Sequence, residues 1–225
     1  MKRLDLLSVG FASVIAIVTI VIIMFTGEKS GHGASVSWTE DEMGLVASAD
    51  SLMRVLTVTD STDLIILRGK AVGLNESDLL SDTYSRLASL MLATVTSPGQ
   101  GGVGIAAPQV GLSRRVVAVQ RFDKEGEPFE VYPNIRIEEM YGETEPGMEG
   151  CLSIPGKRGL VKRFRNIVIS YSDVEALKGD SPELSACEVR DTVSGFTAVI
   201  FQHEVDHLDG ILYTDRAEDI SDFAR

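Results

Sequence analysis

Residues 194–210 read SGFTAVIFQHEVDHLDG, and the rest of the chain is interpreted around this stretch. On a helix, positions four apart share one face, so His203 and His207 can both reach one metal ion. Glu204 lies between them, where a carboxylate can act as a general base toward water. Gly210 follows where a helix C-terminal cap is expected. The stretch predicts a metal-binding HExxH helix; the alternative is a buried helix whose two histidines are merely hydrogen-bonded.

A third ligand is available in residues 149–153, which read EGCLS. A catalytic metal site needs three protein ligands and an open position, and the thiolate of Cys151 is a good soft ligand. A lone cysteine can equally be a small buried hydrophobe. That interpretation fits Cys187 better, because nothing near it in the sequence suggests ligation. The chain has only these two cysteines, too few for a disulfide framework.

Residues 102–109 read GVGIAAPQ, which has the spacing of a dinucleotide-binding fingerprint. The context excludes that reading, because a Pro-Gly loop precedes the stretch and Pro108 and Gly111 leave no room for a crossover helix. The small residues more plausibly let a substrate backbone approach closely, with Gln109 directing its amide at a carbonyl oxygen.

The composition limits the classes of function. The chain of 225 residues is 44% hydrophobic and 24% charged, which is typical of a globular protein. Its formal net charge of −12 repels phosphate backbones, so we expect no nucleic-acid partner.

An apolar segment stands at the N-terminus. Residues 6–25 are uncharged, and about twenty such residues are the length that a bilayer core demands. Residues 1–27 are therefore predicted to be a membrane anchor or signal segment, with an uncleaved transmembrane helix favoured over a signal peptide. Lys2 and Arg3 before the segment weakly place the catalytic domain outside the cytoplasm, with the cytoplasmic side still open.

The remaining chain divides into a Gly- and Ser-rich linker, residues 28–39, and one α+β domain, residues 40–225. A short strand is predicted at 64–67 and an amphipathic helix at 77–95. Further β-rich runs are predicted at 116–122, 130–137, 167–171 and 187–193.

Taken together, residues 102–109, 149–153 and 202–207 resemble the three motifs of the peptide deformylases, in the same order. The resemblance covers roughly residues 64–215. It implies an α+β fold in which antiparallel β-sheets pack around the central HExxH helix. It also implies metal-dependent hydrolysis of the formyl group of N-formylmethionyl peptides, with release of formate.

The resemblance further implies a role for each motif residue. Cys151, His203 and His207 would hold one divalent metal ion, Fe(II) in the first place, with Zn(II) or Ni(II) as alternatives. Glu204 would take a proton from water and deliver it to the leaving amine. The side chain of Gln109 and the backbone N–H of Leu152 would stabilise the oxyanion.

Substrate contacts follow from the same resemblance. Phe196, Val199 and Ile200 share the histidine face and are candidates for the methionine pocket; ordinary core packing is the alternative, above all for Ile200. Other residues implied at the site are Val103 and Gly104 against the substrate backbone, and Arg158 at the pocket rim, where a solvated surface arginine is the alternative.

Two observations leave alternatives open. The apolar N-terminal segment is unlike typical soluble members, and the acidic tail after Tyr213 makes ribosome docking doubtful. A metalloamidase or peptidase acting on other N-acyl or peptide substrates is the main alternative. A non-catalytic metal-stabilised module is disfavoured, because Glu204 and Gln109 are both present.

Overall fold

The computed structural model describes residues 36–179 and 187–223. Its helices are α1 (Glu40–Ser48), α2 (Ser61–Leu67), α3 (Glu76–Leu79), α4 (Asp82–Thr96), α5 (Val174–Leu177) and α6 (Gly195–Leu208). Its strands are β1 (Gly104–Ala106), β2 (Val116–Gln120), β3 (Phe129–Pro133), β4 (Arg136–Cys151), β5 (Ile154–Ser172), β6 (Glu188–Ser194) and β7 (Ile220–Asp222). Short 3-10 helices span Ala107–Val110 and Tyr213–Asp215.

The strands form two antiparallel sheets. One has the order β1-β2-β3, and the other has the order β4-β5-β6 with β7 paired to β5. Strands β4 and β5 make a long hairpin in which Cys151 lies opposite Ile154. Antiparallel strands need only a tight connection, so Leu152 and Ser153 suffice to close it. The hairpin therefore holds Cys151 at the very end of β4.

Helix α6 packs against strands of both sheets, contacting β1, β2 and β5. Its buried residues include Ala198, Ile200, Phe201 and Gln202, which lie on several sides of the helix. A helix that is apolar on most sides is buried on most sides. The HExxH motif is thus carried into the interior, in agreement with the predicted helix over 194–208.

Two local predictions differ from the structure. The apolar run at 64–67 is the end of helix α2 and not a strand, because the side chain of Asp60 accepts hydrogen bonds from the N–H groups of Thr62 and Asp63 and starts a helix. The single helix predicted at 77–95 is two helices, α3 and α4. Ser81 interrupts it by capping the N–H of Tyr84.

The residues just before α1 are held against the domain by Arg114, which is buried. Its guanidinium binds the carboxylate of Glu42 and the backbone carbonyls of Val36 and Ser37, and it lies 4.9 Å from the ring centre of Trp38. One arginine thereby satisfies two backbone carbonyls and one carboxylate with charge-assisted hydrogen bonds. The end of the predicted linker is therefore part of the folded domain.

The predicted fold class needs one correction. The described residues form an α+β fold with antiparallel sheets, and none of their helices is long and apolar enough to cross a membrane. The transmembrane helix in the prediction is therefore removed from the fold class. The segment on which it fell, residues 1–27, lies outside the described residues. The side of a membrane on which the domain works stays a prediction from flanking charges.

The turn after α6 requires glycine, which gives a test of the packing. Gly210 has φ 73°, and a Cβ atom there would collide with the carbonyl oxygen of Arg68. We expect Gly210→Ala to lower the free energy of unfolding by about 3 kcal/mol, from left-handed strain plus overpacking. Gly126 has φ 76°, and a Cβ atom there would have no neighbour within 4 Å. Gly126→Ala should therefore cost only about 1 kcal/mol. Equal costs in urea denaturation would contradict this account.

Candidate active site

Three potential ligands converge where β4 ends against α6. The ligand atoms of Cys151, His203 and His207 all lie within 4.8 Å of one another. The Sγ atom of Cys151 is 3.2 Å from Nε2 of His207, and the two imidazole centres are 5.1 Å apart. One thiolate and two imidazoles form a donor set that suits a divalent transition metal ion such as zinc or iron. The residues therefore fit a single metal ion.

Glu149 orients one of these ligands. The Nδ1–H of His203 donates to Oε2 of Glu149 over 2.9 Å, which leaves Nε2 of the same ring for the cluster. Burial raises the pKa of Glu149, but hydrogen bonds from His203 and Arg163 lower it more, to about 2. Arg163 donates to both oxygens of Glu149, at 2.8 and 3.1 Å. The carboxylate is therefore ionised beside the ligand that it positions.

Arg163 also belongs to a wider buried network of charged side chains. Arg163 also donates to Oδ2 of Asp206 over 2.6 Å, and Asp206 accepts two further hydrogen bonds from Arg216 at 2.6 and 2.7 Å. Glu149 and Arg163 are at least nine-tenths buried. Charges removed from water to this degree need such pairing to be tolerated.

Two buried polar atoms at the site have no protein partner within the described part of the chain: Oε2 of Glu204 and Nδ1 of His207. Burial raises the pKa of Glu204 to about 7. Burial also raises the pKa of the Cys151 thiol, but His207 and His203 beside it lower that pKa well below its usual range. Glu204 thus has a buried carboxylate oxygen that no described protein group satisfies, next to a cysteine that favours the thiolate.

Gln109, which belongs to the motif at residues 102–109, lies at the same site, and its side chain is held in one orientation. Its Oε1 accepts from the N–H of Ala106 over 2.8 Å, which sets the orientation of the amide. Its Nε2 donates to Oγ of Ser153 over 3.2 Å and to Sγ of Cys151 over 3.4 Å. The amide nitrogen of Gln109 therefore lies directly beside the ligand cluster, where an oxyanion donor is needed.

These residues line one cavity of about 620 Å³, which is within the range typical of ligand sites. Ile200 is buried and contributes both to this cavity and to the core, whereas Phe196 is 51% exposed at the mouth. All the residues that the sequence singled out lie around this cavity: Val103, Gly104, Gln109, Cys151, Leu152, Arg158, Phe196, Val199, His203 and Glu204 line it, and His207 lies at the ligand cluster.

Sequence reasoning missed several residues of the site. Glu149 stood in a recognised segment, but its bond to His203 was not foreseen. Ser153 was likewise in that segment without an assigned partner. Neither Arg163 nor Phe223 stood in a recognised motif. Each comes to the site only because strands that are distant in sequence pair with each other.

A thiolate and two histidines around an open cavity, with a buried carboxylate beside them, define a metal-dependent hydrolase site. Comparison with known proteins agrees. The family model described as polypeptide deformylase matches residues 53–222. A peptide deformylase of Desulforudis audaxviator is 40% identical over 155 residues, covering 69% of this chain and 89% of the relative. That of Finegoldia magna is 33% identical over 157 residues, covering 70% and 86%.

Solved structures agree as well. A class I type b peptide deformylase from Acinetobacter baumannii has a TM-score of 0.62 at 36% identity, covering 74% of this chain and all of that one. The Thermotoga maritima peptide deformylase has a TM-score of 0.61 at 29% identity, covering 76% and 100%. The chain therefore belongs to the polypeptide deformylase family. It is a peptide deformylase in activity, an enzyme that removes the N-formyl group from peptides.

The role of Glu149 as the support of His203 can be tested by metal affinity. We expect Glu149→Gln to weaken metal binding by about 10- to 100-fold, because the uncharged amide makes His203 a poorer ligand. Competition with a chromophoric chelator for Zn(II) measures this. Glu145→Gln is the control, since Glu145 pairs with Arg165 at the cavity rim and not with a ligand. Wild-type affinity in the Glu149→Gln variant would rule out the role.

Gly104 leaves no room for a side chain beside Glu204. A Cβ atom there would lie 2.5 Å from Oε1 of Glu204 and 2.8 Å from Cγ2 of Ile200. We expect Gly104→Ala to lower kcat/KM about 100-fold by displacing Glu204, while metal affinity is kept. Gly99→Ala is the control, because a Cβ atom at Gly99 would have no neighbour within 4 Å. The steric argument fails if both variants retain wild-type kcat/KM.

Proposed function

We propose that this chain hydrolyses the N-terminal formyl group of N-formylmethionyl peptides and releases formate and a free α-amine. The observation that carries the proposal is the buried Glu204 carboxylate, which has one unpartnered oxygen and stands beside the Cys151–His203–His207 cluster in a peptide-sized cavity. Water supplies the new C–O bond, the formyl C–N bond breaks, and the amine nitrogen receives a proton.

Cys151, His203 and His207 would hold one divalent ion, which we propose to be Fe(II), with Zn(II) or Ni(II) able to take its place. When bound, the ion supplies Lewis acidity toward water and the formyl oxygen. The soft thiolate beside two imidazoles supports an ion of this class over magnesium or calcium, which prefer oxygen ligands.

Glu204 is the proton carrier in this proposal. Its raised pKa of about 7 is close to working pH, where a carboxylate can accept a proton from water and return it to the amine nitrogen. Its Oε2 atom makes no protein hydrogen bond within the described residues, so none of the hydrogen-bonding capacity of this oxygen is taken up by the protein.

Gln109 and the backbone N–H of Leu152 are the proposed oxyanion donors. Both residues line the cavity next to Cys151. The bond from Ala106 to the Gln109 oxygen keeps the amide nitrogen pointing toward the reaction centre. A donor fixed before the substrate arrives stabilises developing charge without reorganisation during the reaction.

The substrate would bind in extended form between two strand edges. Val103 and Gly104 line one side of the cavity, while residues of β4 from 145 to 150 line the other. An extended peptide between two such edges can form main-chain hydrogen bonds to them. Phe196, Val199 and Ile200 would then surround the methionine side chain.

An amidase or peptidase acting on other N-acyl groups is the second candidate. The match to the polypeptide deformylase family disfavours it.

Ribosome docking remains doubtful. Three acidic residues of the tail form ion pairs within the domain, where Asp215 binds Arg68, Glu218 binds Lys162 and Asp222 binds Lys157.

Formate release from formyl-Met-Ala-Ser tests the proposal. We expect the full chain, loaded anaerobically with Fe(II), to release formate, and Glu204→Ala to lower kcat by about 100- to 10,000-fold through loss of the proton carrier. Glu143→Ala, a surface position on β4, should keep the activity, and both variants should bind the metal.

Acetyl-Met-Ala-Ser separates the two candidate functions. Equal turnover of acetyl and formyl peptides would favour the broader amidase. No formate from the metal-loaded wild type would reject the proposed substrate.

A further inference from the structure

The residues before the part of the chain that matches the family model form a strap on the domain. The strap consists of residues 36–48, a short stretch without regular structure followed by helix α1, whereas the family match begins at residue 53. Four side chains of the matched domain hydrogen-bond to it: Asn75, Asp78, Arg86 and Arg114. The strap is therefore an ordered part of the fold outside the family match.

The domain depends on the strap to satisfy Arg114. This arginine is buried, and its guanidinium has three acceptors within the described part of the chain. They are the carboxylate of Glu42, at 2.7 and 2.6 Å, and the carbonyls of Val36 and Ser37. All three belong to the strap. Because a buried guanidinium without partners would be very costly, the folded domain favours the docked strap.

Helix α1 covers the turn that carries Gln109. This turn, the 3-10 helix Ala107–Val110, ends at Gly111, which has φ 93°. Leu45 lies directly over the glycine, since a Cβ atom at Gly111 would be 3.1 Å from Cδ2 of Leu45. Val46 is buried in the same hydrophobic cluster as both end residues of the 3-10 helix. Leu45 itself is 40% exposed, so it covers the turn from the surface side.

The other side of this turn faces the reaction centre. The Nε2 atom of Gln109 is 3.4 Å from Sγ of Cys151, and the backbone carbonyl of Gln109 accepts from the N–H of Leu56 over 2.8 Å. The turn is thus enclosed between the strap and the ligand cluster. A shift of about 1 Å in a catalytic group can cost about 100-fold in rate. Contacts that hold the turn therefore also set the position of the donor.

We propose that Leu45 and Glu42 of the strap are positioning residues for Gln109, Leu45 through its contact with Gly111 and Glu42 through its ion pair with Arg114. This role rests on the proposed function, since Gln109 must be the oxyanion donor. A donor that acts only as negative charge develops contributes to kcat and not to KM. Turnover, but not substrate binding, thereby depends on residues outside the family match.

Formate release from formyl-Met-Ala-Ser by the metal-loaded full chain tests this role. We expect Leu45→Ala to lower kcat about 10-fold, because a less constrained turn holds Gln109 in place less of the time, with KM changed less than about twofold. Met43→Ala is the matched control. Met43 is also 40% exposed, but it is two residues from Leu45 and so near the opposite side of α1. Equal kcat values in the two variants would overturn the role.

A double-mutant cycle separates positioning from a general loss of structure. In the Gln109→Ala background, Leu45→Ala should lower kcat no further, because the donor that Leu45 positions is absent. Glu42→Ala should follow the same pattern, with Glu40→Ala, an exposed acidic residue in the same helical turn, as its control. An equal decrease with and without Gln109, or wild-type kcat in Gln109→Ala itself, would refute the role.

Hydrogen exchange of the turn gives a readout that does not depend on activity. We expect the amides of residues 107–112 to exchange faster in Leu45→Ala than in the wild type or in Met43→Ala, since the turn opens more often when its cover is lost. Unchanged exchange in Leu45→Ala would overturn the role whatever the activity. No formate from the wild type would instead count against the proposed function.

Discussion

The structure of the site depends on one buried ionic contact, between Arg163 and Glu149. Glu149 lies on β4 and Arg163 on β5 of the hairpin, where they are hydrogen-bonded to each other. Glu149 also holds His203 in position through a 2.9 Å hydrogen bond. Asp206 joins the same arginine from α6. Because an unpaired charge in this position would be very costly, hairpin and helix can meet only in the arrangement that satisfies all the partners. That arrangement is also the one that assembles the ligands.

Glu204 is a buried carboxylate whose surroundings are the opposite of those of Glu149. Glu149 is paired with His203 and Arg163 and has a lowered pKa, whereas Glu204, the next residue after His203, has a raised pKa and an oxygen without a partner in the described chain. A folded chain normally avoids an unsatisfied buried acceptor. The unsatisfied oxygen of Glu204 lowers local stability, and it belongs to a group that must exchange protons. Two carboxylates of similar depth thus acquire a supporting and a reactive role from their surroundings alone.

The sequence predicted the central helix and the residues around the cavity because their signals are local. His203 and His207 are four residues apart, and Cys151 and Gln109 lie in short distinctive stretches. Prediction failed where tertiary context decides. The apolar run at 64–67 became helical because Asp60 caps it. The role of Arg163 could not be predicted, since its partners are 14 and 43 residues distant in sequence. The transmembrane helix fell on residues outside the described structure, and no described helix could take that role.

The backbone at Gly104 has a consequence for how the enzyme can evolve. The space beside Glu204 is limited there by the main chain, at a position where only a hydrogen atom fits. Every substitution at that position adds atoms, so sequence drift at residue 104 can narrow the site but cannot enlarge it. A change that widened the space beside Glu204 would have to shift strand β1 itself. The limit that the main chain sets on this space therefore cannot be relaxed by single mutations at residue 104.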